Sequence, residues 1–171
     1  RIPEPQADIG LRLHLKPYQR PHPPIGVAGV LPNSETLVLA GERGYIPMSI
    51  NFVPPRILRT HWEAFEKGAR STKRSVDPAI WRSARDVFVA DTDAEARRQA
   101  LEGPLGRDYR DYFLPLLRKN RGWEILKTDP AMPDSEVTPD YLLDNIWIVG
   151  SPATVARRLA RLREEAGAFG T

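Results

Sequence analysis

Apolar and polar positions along this chain switch repeatedly between a strand-like and a helix-like period, and each switch marks an element. The clearest unit is residues 25–48, IGVAGVLPNSETLVLAGERGYIPM. Ile25, Val27 and Ala28 form an apolar strand, and Gly29 lets the backbone turn. Asn33 or Ser34 stands where a helix N-cap is expected. Leu37, Val38 and Ala40 make the helix stripe, Gly44 stops it, and residues 45–48 extend again. So short a crossover predicts a return to a parallel strand.

The pattern continues on both sides. Leu11, Leu13 and Leu15 alternate with Arg12 and His14, which predicts a half-buried strand ended by Pro17, Pro21, Pro23 and Pro24. Pro54 and Pro55 open a helix to about residue 69, with Ile57, Leu58, Trp62 and Phe65 as its stripe. A basic, polar loop follows over residues 71–78, then a third parallel-type strand over 86–90 (DVFVA). Thr92 and Glu95 have capping-box spacing before a helix to about Leu101. Residues 146–149 are a short apolar segment, and Ser151-Pro152 opens a helix to about 166 with Val155, Leu159 and Leu162 on one face.

Residues 103–145 break the alternation, with helical pieces near 109–118 and 123–127 and a Pro-Asp-rich loop. This stretch reads as an excursion within one domain, placed to act as a lid that keeps water from a site. Repeated strand-then-helix order predicts a parallel α/β architecture, whose ligands bind at the carboxyl ends of the strands. That centres the functional question on the turn over residues 29–34. About three central strands are visible, whereas a closed eight-stranded barrel takes roughly 250 residues. From the pattern alone, an open sheet and part of a barrel both remain.

Composition narrows the chemistry. The 171 residues suffice for one domain, and none is Cys, which excludes disulfides, thiolate nucleophiles and Cys-type zinc sites and accords with a cytoplasmic setting. Net charge is +3, from 25 basic and 22 acidic residues of interspersed sign. Nucleic-acid binding would want a one-signed stripe; Arg107, Arg110, Arg118, Lys119 and Arg121 read instead as solvated helix faces. No apolar run approaches the roughly 20 residues of a membrane span. His14, His22 and His61 lack metal-ligand spacing, and His61-Trp62-Glu63 lacks the Cys pair that zinc deaminases add, so no metal is expected. No G-x-S-x-G elbow is present, and GPLG at 103–106 lacks the ending of a phosphate loop.

Several polar positions stand near the expected strand ends. Ser49 and Asn51 follow the second strand, with helix capping before Pro54 as the competing role. Glu42 and Arg43 read as a local ion pair. Trp123, Trp147, Phe113 and Tyr112 read as core, with an apolar pocket as the alternative.

Three stretches together carry a family resemblance: PHPPIGVAGVLPNSETLVLAGERGYIPMSIN (21–51), RDVFVADTDAEARRQA (85–100) and WIVGSPATVARRLARLREEAGAFGT (147–171). They resemble, in the same order, the C-terminal half of luciferase-like flavin-dependent monooxygenases, nearest to the limonene monooxygenase-like branch. The resemblance runs from about Leu11 to Thr171. It implies the C-terminal part of a (β/α)₈ TIM barrel, incomplete in this chain, as a single partial-barrel domain over 1–171. It further implies reduced FMN delivered by a separate flavin reductase, dioxygen, a small apolar substrate and a homo-oligomer. The opening turn matches the stretch that contacts flavin phosphate or ring edge in the family, here Gly29, Val30, Asn33 and Ser34. Helix N-terminal N–H groups and a capping hydroxyl make an anion site, in agreement with that placement. The family's earlier strands carry much of the pocket, so no catalytic residue is assigned within these residues. Two alternatives stay open: a deazaflavin-dependent oxidoreductase on the same scaffold, and a non-catalytic half-barrel that assembles with a partner.

Overall fold

The computed structural model describes residues 6–10, 17–120 and 122–170, so the strand read at Leu11, Leu13 and Leu15 and the basic residue Arg121 lie outside the description. Strand β1 (Gly26–Gly29) runs parallel to β2 (Ile46–Ser49), in register from Gly26↔Ile46 to Gly29↔Ser49. Helix α1 (Glu35–Arg43) makes the crossover between them. It ends at Gly44, whose φ of 71° turns the chain left-handed while its N–H bonds the Ala40 and Gly41 carbonyls. Helix α2 (Pro55–Ser71) then leads to β3 (Arg82–Ser83), parallel on the far side of β2.

The third strand is divided in two. β3 and the N–H of Ala84, which bonds the Ser49 carbonyl, extend the sheet. β4 (Val87–Val89) leaves it and pairs in parallel with β5 (Ile148–Gly150). The sequence pattern marks only the second half. The break falls at Arg85 and Asp86, whose side chains bond Asn51 at the end of β2, while the Asp86 carbonyl already accepts the Ile148 N–H at 2.9 Å. Gly170 makes a further parallel bridge to Arg82.

Helices α3 (Asp93–Glu102) and α4 (Pro104–Asp108) follow, then a π-helical turn over Tyr109–Phe113, α5 (Leu114–Lys119), α6 (Pro139–Asn145) and, after β5, α7 (Pro152–Ala166). Caps set several of these starts: Thr92, Thr138 and Ser151 each accept an N–H with the side-chain hydroxyl. Asp93 links two helix starts, accepting the Ser151 N–H at 2.6 Å and the Thr154 hydroxyl at 2.9 Å. These hydrogen bonds hold its carboxyl below the usual carboxylate range.

Apolar packing forms three clusters. Residues 103–145 contribute Tyr109, Leu114, Trp123, Leu126 and Leu142 to one of them, around Ala96 and Trp147. A second joins α2 to α7 through Ile57, Leu58, Trp81, Ile148 and Leu162. The third joins α1 to α2 through Leu37, Ala40, Ala64 and Phe65. On α7 the buried line is Val155, Leu162 and Ala166, while Leu159 is 41% exposed. At about 100° per residue, Leu159 lies at the margin of the stripe that the other three define. On β1 and β2, the face away from the helices is open: Gly26, Ala28 and Met48 are exposed.

Candidate functional site

Pairing brings Gly29, Ser49 and Ser83 into one row across the carboxyl ends of three parallel strands. The turn over residues 29–34 starts from that row. Gly29 is buried, and a Cβ there would stand 2.9 Å from Leu37 Cγ, so the residue admits α1 close to the strand. The left-handed backbone belongs instead to Asn33, with φ of 53°. Val30 is 38% exposed and Leu31 61%. Asn33 donates its N–H to Thr60 Oγ1 at 3.0 Å.

Ser34 occupies the N-cap position without making the side-chain cap that its residue type suggests. Its hydroxyl lies 2.8 Å from Thr36 Oγ1, which donates to the Ala28 carbonyl at 3.0 Å. A carbonyl only accepts, and Thr36 has one hydroxyl proton, so Ser34 is the donor of the pair. The first helical bonds run from Leu37 and Val38 to the Ser34 carbonyl. The N–H groups of Glu35 and Thr36 precede them, in the first turn, where a helix offers its N–H groups no acceptor of its own.

Behind the row lies a buried polar relay. Ser49 Oγ is 2.9 Å from His61 Nδ1 and accepts from Trp81 Nε1 at 2.9 Å. His61 Nε2 lies 3.1 Å from the Leu31 carbonyl, inside the turn. Ser49 is 2% exposed, and His61 and Trp81 are fully buried. Burial lowers the His61 pKa from its usual value; the bond to Leu31 opposes that shift and the charge of Arg85 adds to it.

A second cluster lies beside it. Asn51 donates its side-chain amide to both oxygens of Asp86, at 2.9 and 2.8 Å, and Tyr109 donates its hydroxyl to Asp86 Oδ2 at 2.7 Å. Burial first, and the Asp86 carboxylate next, raise the Tyr109 pKa far above the usual phenol value, so the ring stays a neutral donor. Arg85 donates to the Asn51 carbonyl at 2.9 Å, and burial pushes its pKa down to about 10.

Gly29, Val30, Asn33 and Ser34 thus share one turn. Ser49 and Asn51 diverge into separate networks, and neither caps α2, whose N-cap residue is Pro54. No ion pair joins Glu42 to Arg43 among the described residues. Trp123 and Trp147 are core, while Tyr112 is 62% exposed. Among the described residues, no group of three or more His, Asp or Glu side chains stands close enough to hold a metal. No described helix is long and apolar enough to cross a membrane. A cleft of about 380 Å³ lies between α7 and the segment joining α6 to β5, lined by Val53, Arg85, Trp147, Arg158 and Leu162, and the turn does not reach it. The relay carried sequence signals at two positions. His61 is a polar residue on the apolar stripe of α2, one turn from Ile57 and from Phe65. Ser49 is a polar position after the second strand, while Trp81 carried no signal.

The profile of the luciferase-like monooxygenase family matches residues 7–169. The chain is 34% identical over 155 residues to 3,6-diketocamphane 1,6-monooxygenase of Pseudomonas putida, a match covering 91% of this chain and 41% of that protein. It is 29% identical over 162 residues to limonene 1,2-monooxygenase of Rhodococcus erythropolis, covering 92% and 38%. Among solved structures, a similar one is the oxygenating constituent of 3,6-diketocamphane monooxygenase from the CAM plasmid of Pseudomonas putida. That protein is a type II Baeyer-Villiger monooxygenase in complex with FMN; the TM-score is 0.80 at 34% identity, over 88% of this chain and 41% of that one. The chain spans about two fifths of the length of these relatives.

Proposed function

The chain belongs to the luciferase-like monooxygenase family, and we propose that the protein carrying it is an FMN-dependent monooxygenase acting on an apolar organic substrate. Its α/β fold is the luciferase-like one, present here as a partial barrel. The observation that carries the proposal is the TM-score of 0.80 to an FMN-bound relative. Reduced FMN, when bound, would supply the two electrons with which dioxygen gives one oxygen atom to the substrate and the other to water. A separate flavin reductase would deliver the reduced cofactor.

The donor set of the turn fits the phosphate end of FMN. The N–H groups of Glu35 and Thr36 point out of the start of α1, where the helix dipole favours an anion. Asn33, exposed at the same turn, offers its side-chain amide. Ser34 contributes if its proton leaves Thr36 for a phosphate oxygen, and Gly29 and Val30 shape the approach. Against this, the exposed carboxylate of Glu35 in the first turn weakens the anion field.

Titration with FMN tests the assignment. Hydrogen bonds to charged groups contribute about 1.5–3 kcal/mol, so Asn33→Ala and Ser34→Ala are each expected to weaken FMN binding roughly tenfold. Unchanged affinity in both variants would remove the turn from the site.

The exposed face of Gly26, Ala28 and Met48 favours a second element of the reading. We propose that it is covered by further barrel strands or, in these residues alone, by a second copy. Light scattering that finds a stable monomer of residues 1–171 would count against self-association.

A further inference from the structure

We propose that His61 is a positioning residue: by holding the Leu31 carbonyl it shapes the turn that receives the FMN phosphate, an inference that rests on the assignment of that turn above. An imidazole buried on the apolar face of a helix is costly unless its nitrogens are paired, and here both are, at 2.9 Å to Ser49 and 3.1 Å to Leu31.

The direction of each bond follows from which atoms can donate. The Leu31 carbonyl only accepts, so His61 Nε2 carries the hydrogen. Trp81 Nε1 only donates, so Ser49 Oγ accepts from it and passes its own proton toward His61 Nδ1. A single neutral tautomer satisfies the whole chain, from Trp81 beside β3, through Ser49 on β2, to His61 on α2 and Leu31 beyond β1.

Among the described residues, the turn is held by hydrogen bonds more than by packing. The Leu31 side chain is 61% exposed, so apolar packing does not seat the turn. Its second anchor on α2 is the neighbouring residue: Thr60 Oγ1 accepts the Asn33 N–H at 3.0 Å and donates to the Ile57 carbonyl at 2.7 Å. Two consecutive residues of a packed helix therefore hold the turn at Leu31 and Asn33. Releasing Leu31 alone leaves the fold anchored and changes the approach to the Glu35 and Thr36 N–H groups.

Paired titrations of the full protein, with FMN and with riboflavin, which lacks the phosphate, test this role. His61→Phe is expected to weaken FMN about tenfold, the size of one lost charge-assisted bond, and riboflavin by less than about twofold. His61→Gln, whose amide can donate to Leu31 and accept from Ser49, is expected to restore FMN binding to within about threefold of wild type. Equal loss for both flavins, or no loss for FMN, overturns the proposal. Asn33→Ala and Ser34→Ala in the same titration separate the two assignments. If they change the FMN-to-riboflavin ratio and His61→Phe does not, only the positioning role fails; if neither changes it, the site assignment fails and takes this role with it. Should His61→Phe not fold, nitrogen NMR of the wild-type protein decides. A neutral Nε2–H tautomer whose signals move with FMN and not with riboflavin supports the role; an Nδ1–H tautomer, or no FMN-specific change, overturns it.

Discussion

The backbone of Gly41 in α1 packs directly on that of Gly68 in α2: a Cβ on Gly41 would lie 2.7 Å from Ala69 N and 3.1 Å from Gly68 C. A Cβ on Gly68 would lie 2.8 Å from Val38 C and would collide with the Val38 carbonyl oxygen. Backbone cannot yield as a flexible side chain can. The two glycines let the helices that flank the site approach this closely.

The first prediction follows from that contact. Alanine ordinarily improves a helix interior by about 1 kcal/mol over glycine. Here Gly41→Ala and Gly68→Ala are each expected to destabilise by about 1–3 kcal/mol, because overpacking outweighs propensity. Urea unfolding measures the difference, and a midpoint that rises would contradict the close crossing.

Asp86 joins the end of β2 to the π-helical turn. Removing one partner from a buried hydrogen bond costs about 1–3 kcal/mol, and Tyr109→Phe and Asn51→Ala should each fall in that range. Both donate to the same carboxylate, so the double variant should depart from additivity by at least about 0.5 kcal/mol. Because burial and Asp86 keep Tyr109 a neutral phenol, ultraviolet titration of the wild type against Tyr109→Phe should find Tyr109 still un-ionised above the usual phenol range.

His61 makes stability depend on pH with a definite sign. Its folded pKa lies below the usual histidine value of about 6.5. Above about pH 6.5 both states are neutral, and stability is fully present. As pH falls from there toward the folded value, the unfolded chain takes up a proton that the folded protein refuses, and stability is lost. Urea midpoints measured between about pH 7.5 and pH 5 should fall in the wild type and fall less in His61→Gln. Identical slopes would show that His61 is not held neutral.

Ser49→Ala tests the relay from its middle. It deprives Trp81 Nε1 of its acceptor and His61 Nδ1 of its donor, both in buried positions. The expected loss is about 1–3 kcal/mol, with a change in the near-ultraviolet circular dichroism of the buried tryptophan. A neutral substitution would mean that water already serves these groups.

Much of the scaffold was legible in the chain because its signals are local. The stripe of Leu37 and Ala40, the stop at Gly44, the prolines opening α2 and the Ser151 cap each act within a few residues, and each element formed where its signal stood. The division of the third strand was not legible. It falls at Arg85 and Asp86, whose side chains are bound by Asn51, more than thirty residues away in sequence. Ser34 shows the limit at the turn itself: the residue type suits a cap, but its proton goes to Thr36, which is already held by Ala28.

By itself, then, the sequence determined the alternation of strand and helix outside residues 103–145, several of its caps and stops, and the place of the turn at a strand end. These follow from periodicity and backbone preference, which neighbours a few residues apart settle. Tertiary structure alone decided that Ser49, His61 and Trp81 meet and that their chain of bonds ends on Leu31. Each of those side chains, buried without a partner, would be a liability. Only the packing of α2 across the strand ends supplies the partners, and no local pattern encodes that crossing.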